Sequence, residues 1–226
     1  MKPAEFKAYK ARYRAAIRQV LAESEKGRLD EAAFPAYSHP NPFINWLFWQ
    51  RLYTAMQYIG RHAPYERILD FGSGSGVMLP FLAGNSKQVV ALDVDLLPLE
   101  RVRKYIPLAA NVEVCDAKRT ALAELPANSF DLIVALDVLE HVPDLPHTLS
   151  DLILRLKPGG ELVVSGPTEN ILYQIGRRVA GPEYSGDYHE RGIAEIKREL
   201  VKHTAVTHLA TLYWPVPLFE IFTAKK

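Results

Sequence analysis

The stretch "ILDFGSGSG", residues 68–76, sets three glycines at alternate positions directly after a short apolar run. Glycine raises the entropy cost of ordering a backbone. Three of them in five residues mark a turn that something approaches closely. An apolar strand entering such a turn, with a helix beyond Gly76, brings backbone N–H groups and a helix N-terminus to one place. A polar or charged ligand can bind there.

The rhythm on either side supports a strand–turn–helix reading. "RILDF" reads as a strand and the segment after Gly76 as a helix. "QVVALDV" is a strand and "LLPLERVRKYI" a helix; "VEVCD" and "FDLIVAL" are strands, and "LPHTLSDLILRL" is a helix. "KPGG" reads as a turn before the strand "ELVVSG". Residues 169–180 and 190–202 read as helices, and "TAVTHLATLY" and "LFEIFTAK" as two strands joined tightly through "WPVP". Short apolar strands alternating with helices predict an α/β fold, a doubly wound parallel sheet covered on both faces. Seven strands result, mostly parallel, with the last antiparallel. Ligands of such sheets bind at the carboxyl ends of the strands, where strand order switches.

Upstream the pattern is helical. Phe6, Tyr9, Tyr13, Ile17 and Val20 recur at three- and four-residue steps within a helix over 4–25. Lys7, Lys10, Arg12, Arg14 and Arg18 fall mostly off that line. Such a basic amphipathic helix can lie on an anionic membrane; packing of its apolar face on the domain is the simpler expectation. Residues 26–42 read as a connector with Gly27, Pro35, Pro40 and Pro42. A second helix runs from Phe43 to Arg61, with Asn41 as N-cap and Pro42 at the first position. Phe43, Trp46, Leu47, Trp49 and Tyr53 are helically spaced, which favours core packing over a roof above an apolar acceptor or a dock for a membrane or partner. The expected division is 1–62 as a helical extension or cap and 63–226 as the α/β core.

Two acids extend the glycine turn into a pattern. Asp93 ends the second strand, 17 residues after Gly76. A carboxylate there is placed to accept both ribose hydroxyls of a nucleoside. Asp116 ends the third strand, where it can accept from an exocyclic amine such as adenine N6, and the Ala117 N–H can donate to the ring. The dinucleotide fingerprint needs a third small residue, but Val77 or Leu79 stands there, depending on the starting glycine. The D-x-G-x-G-x-G actually present suits a ligand without a pyrophosphate.

"ILDFGSGSG", "VVALDVD", "EVCDA", "FDLIVALDVLEHV" and "LKPGGELVVSGP", in that order, resemble the class I, Rossmann-like S-adenosylmethionine-dependent methyltransferases over residues 60–166. The resemblance implies S-adenosyl-L-methionine as cofactor and a role for each matching position. Asp70 reaches the methionine amino group. Gly72, Gly74 and Gly76 pass beneath the methionine moiety. Asp93 holds the ribose, Asp116 and Ala117 read the adenine, and Ala135 offers its carbonyl to the ammonium. The loop after the fourth strand, with Asp137, Glu140 and His141, borders the methyl group in this family. His141 is therefore the first candidate for a catalytic base, since imidazole titrates near neutrality; a capping or packing role is its alternative. His189, among Tyr173, Tyr184, Tyr188, Glu190 and Arg191, is the second, in a segment expected to act as a lid. Residues 37–50 and 167–191 and the loop after the fourth strand are the expected sources of acceptor contacts.

The implied activity is methyl transfer to oxygen, carbon or nitrogen of a small-molecule acceptor. A cofactor-binding scaffold without turnover is the alternative, and a nicotinamide-dependent oxidoreductase a more remote one. Nucleic acid is not expected: the net charge is +1. The Asn/Asp-Pro-Pro-aromatic signature of many base and amine methyltransferases is also replaced by "ALDVLE". No apolar run approaches the roughly 18 residues of a membrane span, and the charged N-terminus lacks a signal-peptide core. A cytoplasmic protein is expected, with peripheral membrane contact left open. His203, His208 and the single Cys115 form no metal-ligand spacing, and Cys115 reads as a small buried apolar residue. Nothing in the sequence specifies an oligomeric state.

Overall fold

The structure, a computed structural model of the chain, describes residues 1–23, 34–168, 192–213 and 217–226. Seven strands form one sheet: β1 (Tyr65–Phe71), β2 (Ser86–Asp93), β3 (Val112–Asp116), β4 (Phe130–Leu136), β5 (Leu156–Pro167), β6 (Ala205–Leu212) and β7 (Phe219–Lys225). Their order is β3-β2-β1-β4-β5-β7-β6. β4 pairs in parallel with β1 and with β5, and β2 with β3. β7 runs antiparallel to both β5 and β6, so the last strand is the reversed one, as expected. The order switches between β1 and β4, where sheets of this kind receive ligands. The described helices are α1 (Pro3–Glu23), α2 (Phe34–Ser38), α3 (Pro42–His62), α4 (Leu79–Ala83), α5 (Leu97–Val102), α6 (Leu145–Arg155) and α7 (Ile193–Val201).

By internal packing the chain divides into two compact units: Met1–Glu66 with Ser73–Arg119, and Arg67–Gly72 with Thr120–Lys226. In the first, α1 buries Tyr13, Ala16, Ile17 and Val20, the face its periodicity marks. Trp49 of α3 is 1% exposed and is ringed by Phe6, Tyr13 and Tyr37. The Asn41 side chain accepts the Phe43 N–H at 2.9 Å, the cap its position before Pro42 predicts. β2 buries Val89 to Leu92 in an unbroken run, as a strand covered on both faces must.

In the second unit, β4 buries Leu132 to Ala135 and β5 buries Leu162 to Val164. Asp144 caps α6 by accepting the His147 N–H at 3.1 Å, and Leu145, Leu149 and Leu152 face inward. Arg155 closes α6, donating to the Leu122 and Ala123 carbonyls at 3.1 and 2.8 Å.

The structure departs from the sequence reading at four places. The connector 26–42 contains α2, formed because Phe34 and Tyr37 bury their side chains. The helices after Gly76 and Asp93 are single short turns, each entered at a proline, Pro80 and Pro98. "KPGG" belongs to β5: Gly159 N–H donates to the Lys226 carbonyl at 3.1 Å and Lys226 N–H to the Gly160 carbonyl at 3.0 Å. Cys115 is half-buried rather than buried. The helix predicted over 169–180 and most of the "WPVP" connection lie outside the described residues.

Candidate functional site

In the first unit the glycine turn is tied to the end of β2. Gly74 N–H donates to Asp93 Oδ2 at 2.6 Å, and Asp95 N–H donates to Oδ1 at 2.9 Å. Ser73 N–H reaches the Leu92 carbonyl at 3.4 Å, and Gly76 N–H closes the turn on the Ser73 carbonyl at 2.8 Å. One backbone donor on each oxygen orients the Asp93 carboxylate and leaves it lone pairs for further donors. Asp116 stands in register with Asp93 on the neighbouring strand. It accepts the Lys118 N–H at 2.9 Å, with Arg119 Nε 3.5 Å from its other oxygen. Ala117 N–H donates to the Asp93 carbonyl at 2.8 Å, so the donor expected to face an adenine ring is engaged within the protein.

The three glycines differ in what makes each necessary. All have left-handed φ: +74° at Gly72, +53° at Gly74 and +75° at Gly76. A Cβ on Gly76 would lie 2.5 Å from Leu99 Cδ1, and one on Gly72 would lie 2.3 Å from Val138 Cγ2. Packing within the protein therefore forbids a side chain at these two. At Gly74 nothing among the described residues lies within 4 Å of the same position. The backbone there leaves a cradle with room for an external group.

Ser73 and Ser75 on either side are 6% and 2% exposed, and neither hydroxyl has a hydrogen-bond partner among the described residues. Buried polar groups left unsatisfied are costly and few. A ligand carrying polar atoms would satisfy them. The cradle, the two hydroxyls and the oriented carboxylate together fit the cofactor that the sequence resemblance implies.

The far side of the same turn is held by α1. Tyr13 Oη donates to the Ser75 carbonyl at 2.8 Å and Tyr9 Oη to the Val77 carbonyl at 2.5 Å. Sequence periodicity placed both tyrosines on the apolar face and missed this brace. Tyrosine instead of phenylalanine at two inward positions was the available signal, because a buried phenol needs a partner. Tyr13→Phe is expected to cost about 1 kcal/mol of stability, since the ring stays packed while a buried carbonyl loses its donor. Urea unfolding of the two proteins checks this.

In the second unit, Asp70 lies at the end of β1, 4% exposed, in register with Val134 of β4. A carboxylate this deep calls for donors or a cation to offset its lost hydration. Ala135, next along β4, is fully buried. Asp137 follows at φ +53°, a conformation aspartate tolerates better than most residues. Its N–H donates to the Ser165 carbonyl at 3.0 Å, and its Oδ1 accepts the Ser165 hydroxyl at 3.1 Å. This fixed bend carries the chain into the turn where Val138 covers Gly72. The sequence cluster then splits across a short 3₁₀ turn, Leu139–His141: Glu140 is 1% exposed, whereas His141 is exposed. His189, with the rest of the expected lid over 169–191, lies outside the described residues.

A family model described as a methyltransferase domain matches residues 9–215. Among curated proteins, the ubiquinone biosynthesis O-methyltransferase of Hahella chejuensis is 34% identical over 141 residues, which is 60% of this chain and 57% of that protein. The chain thus spans a little over half the length of that relative. Among solved structures, the N-methyltransferase NodS of Bradyrhizobium japonicum, determined with S-adenosyl-L-homocysteine, superposes with a TM-score of 0.60 at 17% identity, covering 95% of this chain and 98% of that one. An S-adenosylmethionine-dependent methyltransferase of Mesorhizobium loti gives a TM-score of 0.61 at 20% identity, over 78% of this chain and 98% of its own. At these identities the structural likeness establishes the fold.

Proposed function

The chain belongs to the methyltransferase-domain family, and from this we propose that it binds S-adenosyl-L-methionine and transfers its methyl group to a small-molecule acceptor. The observation that carries the reading is the Asp93 carboxylate held by the Gly74 N–H at 2.6 Å, beside a bare cradle. Asp93 accepts from the ribose hydroxyls. Asp116 accepts from the adenine amine, with Ala117 alongside. Asp70 and the Ala135 carbonyl receive the methionine ammonium. Gly72, Gly74 and Gly76 form the floor beneath the methionine, and the hydroxyls of Ser73 and Ser75 gain partners that the described residues do not supply. Residues 1–62 act as the cap, its α1 tyrosines keeping the turn in shape.

The bound cofactor supplies a methyl group already activated by the positive sulfonium. What remains for the protein is to aim the acceptor atom and keep water away, and orientation supplies most of the rate. The name of the curated relative favours an oxygen nucleophile. A hydroxyl acceptor must lose its proton during attack, and His141 is assigned that role, with His189 as the second candidate. His141→Ala is expected to lower methyl transfer about 100-fold while leaving S-adenosylhomocysteine affinity unchanged. Release of radiolabelled methyl onto a panel of phenolic, amine and carbon acceptors tests the activity. Tight cofactor binding with no label moved to any acceptor would replace the enzyme with a cofactor-binding scaffold.

A further inference from the structure

We infer that the basic strip of α1 and the exposed aromatic start of α3 are docking elements for an anionic lipid bilayer. α1 carries Lys7, Lys10, Arg14 and Arg18, and no acid stands between Phe6 and Ala22. Steps of three and four residues keep the four cations on one strip of the helix. The whole chain has a net charge of only +1, so positive charge is concentrated here. None of the four forms an ion pair among the described residues. They also crowd one another. Burial and then Arg14 hold Lys10 below the ordinary lysine range, and burial and then Arg18 do the same to the Arg14 guanidinium. Like charges at this spacing destabilise a helix, and an anionic surface relieves that repulsion.

The helix that α1 meets carries exposed aromatic rings of its own. Phe6 packs 4.4 Å from Tyr53, the Lys10 ammonium lies 5.7 Å from the Trp49 ring, and Tyr13 is 6.4 Å from Trp49. Between Phe6 and Tyr13, α1 thus passes from Tyr53 to Trp49 of α3. At the start of α3, Phe43 is 61% and Trp46 46% exposed, their rings 6.0 Å apart, at three-residue steps ahead of buried Trp49. The apolar spacing of α3 thus runs on beyond the core it was expected to serve.

Cations alone would suit an acidic protein or a nucleic acid. Cations beside exposed aromatic rings suit the bilayer boundary, with indole and phenyl at headgroup depth and Lys and Arg at the phosphates. Among the described residues no helix is long and apolar enough to cross a membrane, so the contact is peripheral. The inference does not depend on methyl transfer.

Cosedimentation of the full chain with phosphatidylcholine vesicles, with and without phosphatidylglycerol, tests it. Binding is expected only with phosphatidylglycerol and is expected to fall as salt screens the charges. Arg18→Gln, an exposed position, should weaken binding about fivefold, the equivalent of ~1 kcal/mol per basic residue at such a surface. Phe43→Ser should weaken it as well, without weakening any binding to a DNA duplex. Both variants should keep the circular dichroism of the parent. Three results would overturn the inference: no sedimentation at low salt, equal binding by parent and both variants, or tighter binding to duplex DNA than to the anionic vesicles.

Discussion

Asp93→Ala should weaken binding of S-adenosylhomocysteine about 100-fold, read by calorimetric titration. Each hydrogen bond to a charged group contributes about 1.5–3 kcal/mol, and about 1.4 kcal/mol is a factor of ten. In the proposed complex two ribose hydroxyls make such bonds at this carboxylate, and some of that loss is recovered by water. The substitution also frees the Gly74 and Asp95 N–H groups, which Asp93 holds at 2.6 and 2.9 Å. The turn would then be less ordered as well as less attractive. Asp93→Asn separates these effects: it keeps an acceptor for a backbone N–H and removes the charge, and about a tenfold loss is expected. Unaltered affinity in the alanine variant would show that nothing binds at the end of β2.

Gly72→Ala and Gly74→Ala should fail in opposite ways. Each forces a side chain into left-handed backbone, at about 1–2 kcal/mol. At Gly72 the new methyl would also meet Val138 Cγ2 at 2.3 Å and Val138 Cβ at 2.6 Å. Overpacking of this kind adds about 1–3 kcal/mol. Gly72→Ala should therefore show the larger fall in melting temperature, and Val138→Ala in the same chain should restore part of it. At Gly74 no atom of the described residues lies within 4 Å of the added methyl. That variant should stay folded and lose ligand affinity, because the methyl stands where the cofactor is proposed to lie. Equal falls in melting temperature for the two variants, with affinity preserved in Gly74→Ala, would contradict this division of roles.

Much of this was legible in the chain because strand ends are marked chemically. Asp93, Asp116 and Asp70 stand where apolar runs stop, and parallel pairing then sets Asp93 beside Asp116. β3 and β4 span Val112–Asp116 and Phe130–Leu136, the stretches the sequence marks as strands. What the sequence concealed depends on partners distant in the chain. Tyr13 and Ser75 are 62 residues apart, and no periodicity announces a phenol reaching a carbonyl. The α2 helix has five residues, too few for a 3.6-residue period to show. Glu140 and His141 are adjacent polar residues, and the 3₁₀ turn Leu139–His141 leaves the first buried and the second exposed. The aromatic run of α3 carried the right period, but period cannot say where a core ends. Trp49 is inside it, while Phe43 and Trp46 are not.

The central claim is that a bare glycine turn and an oriented carboxylate hold an adenosyl sulfonium. Calorimetric titration of the unaltered chain with S-adenosylhomocysteine tests it most directly. Saturable heat with one site per chain is the predicted result. A flat titration, with no rise in melting temperature in excess ligand, would contradict it.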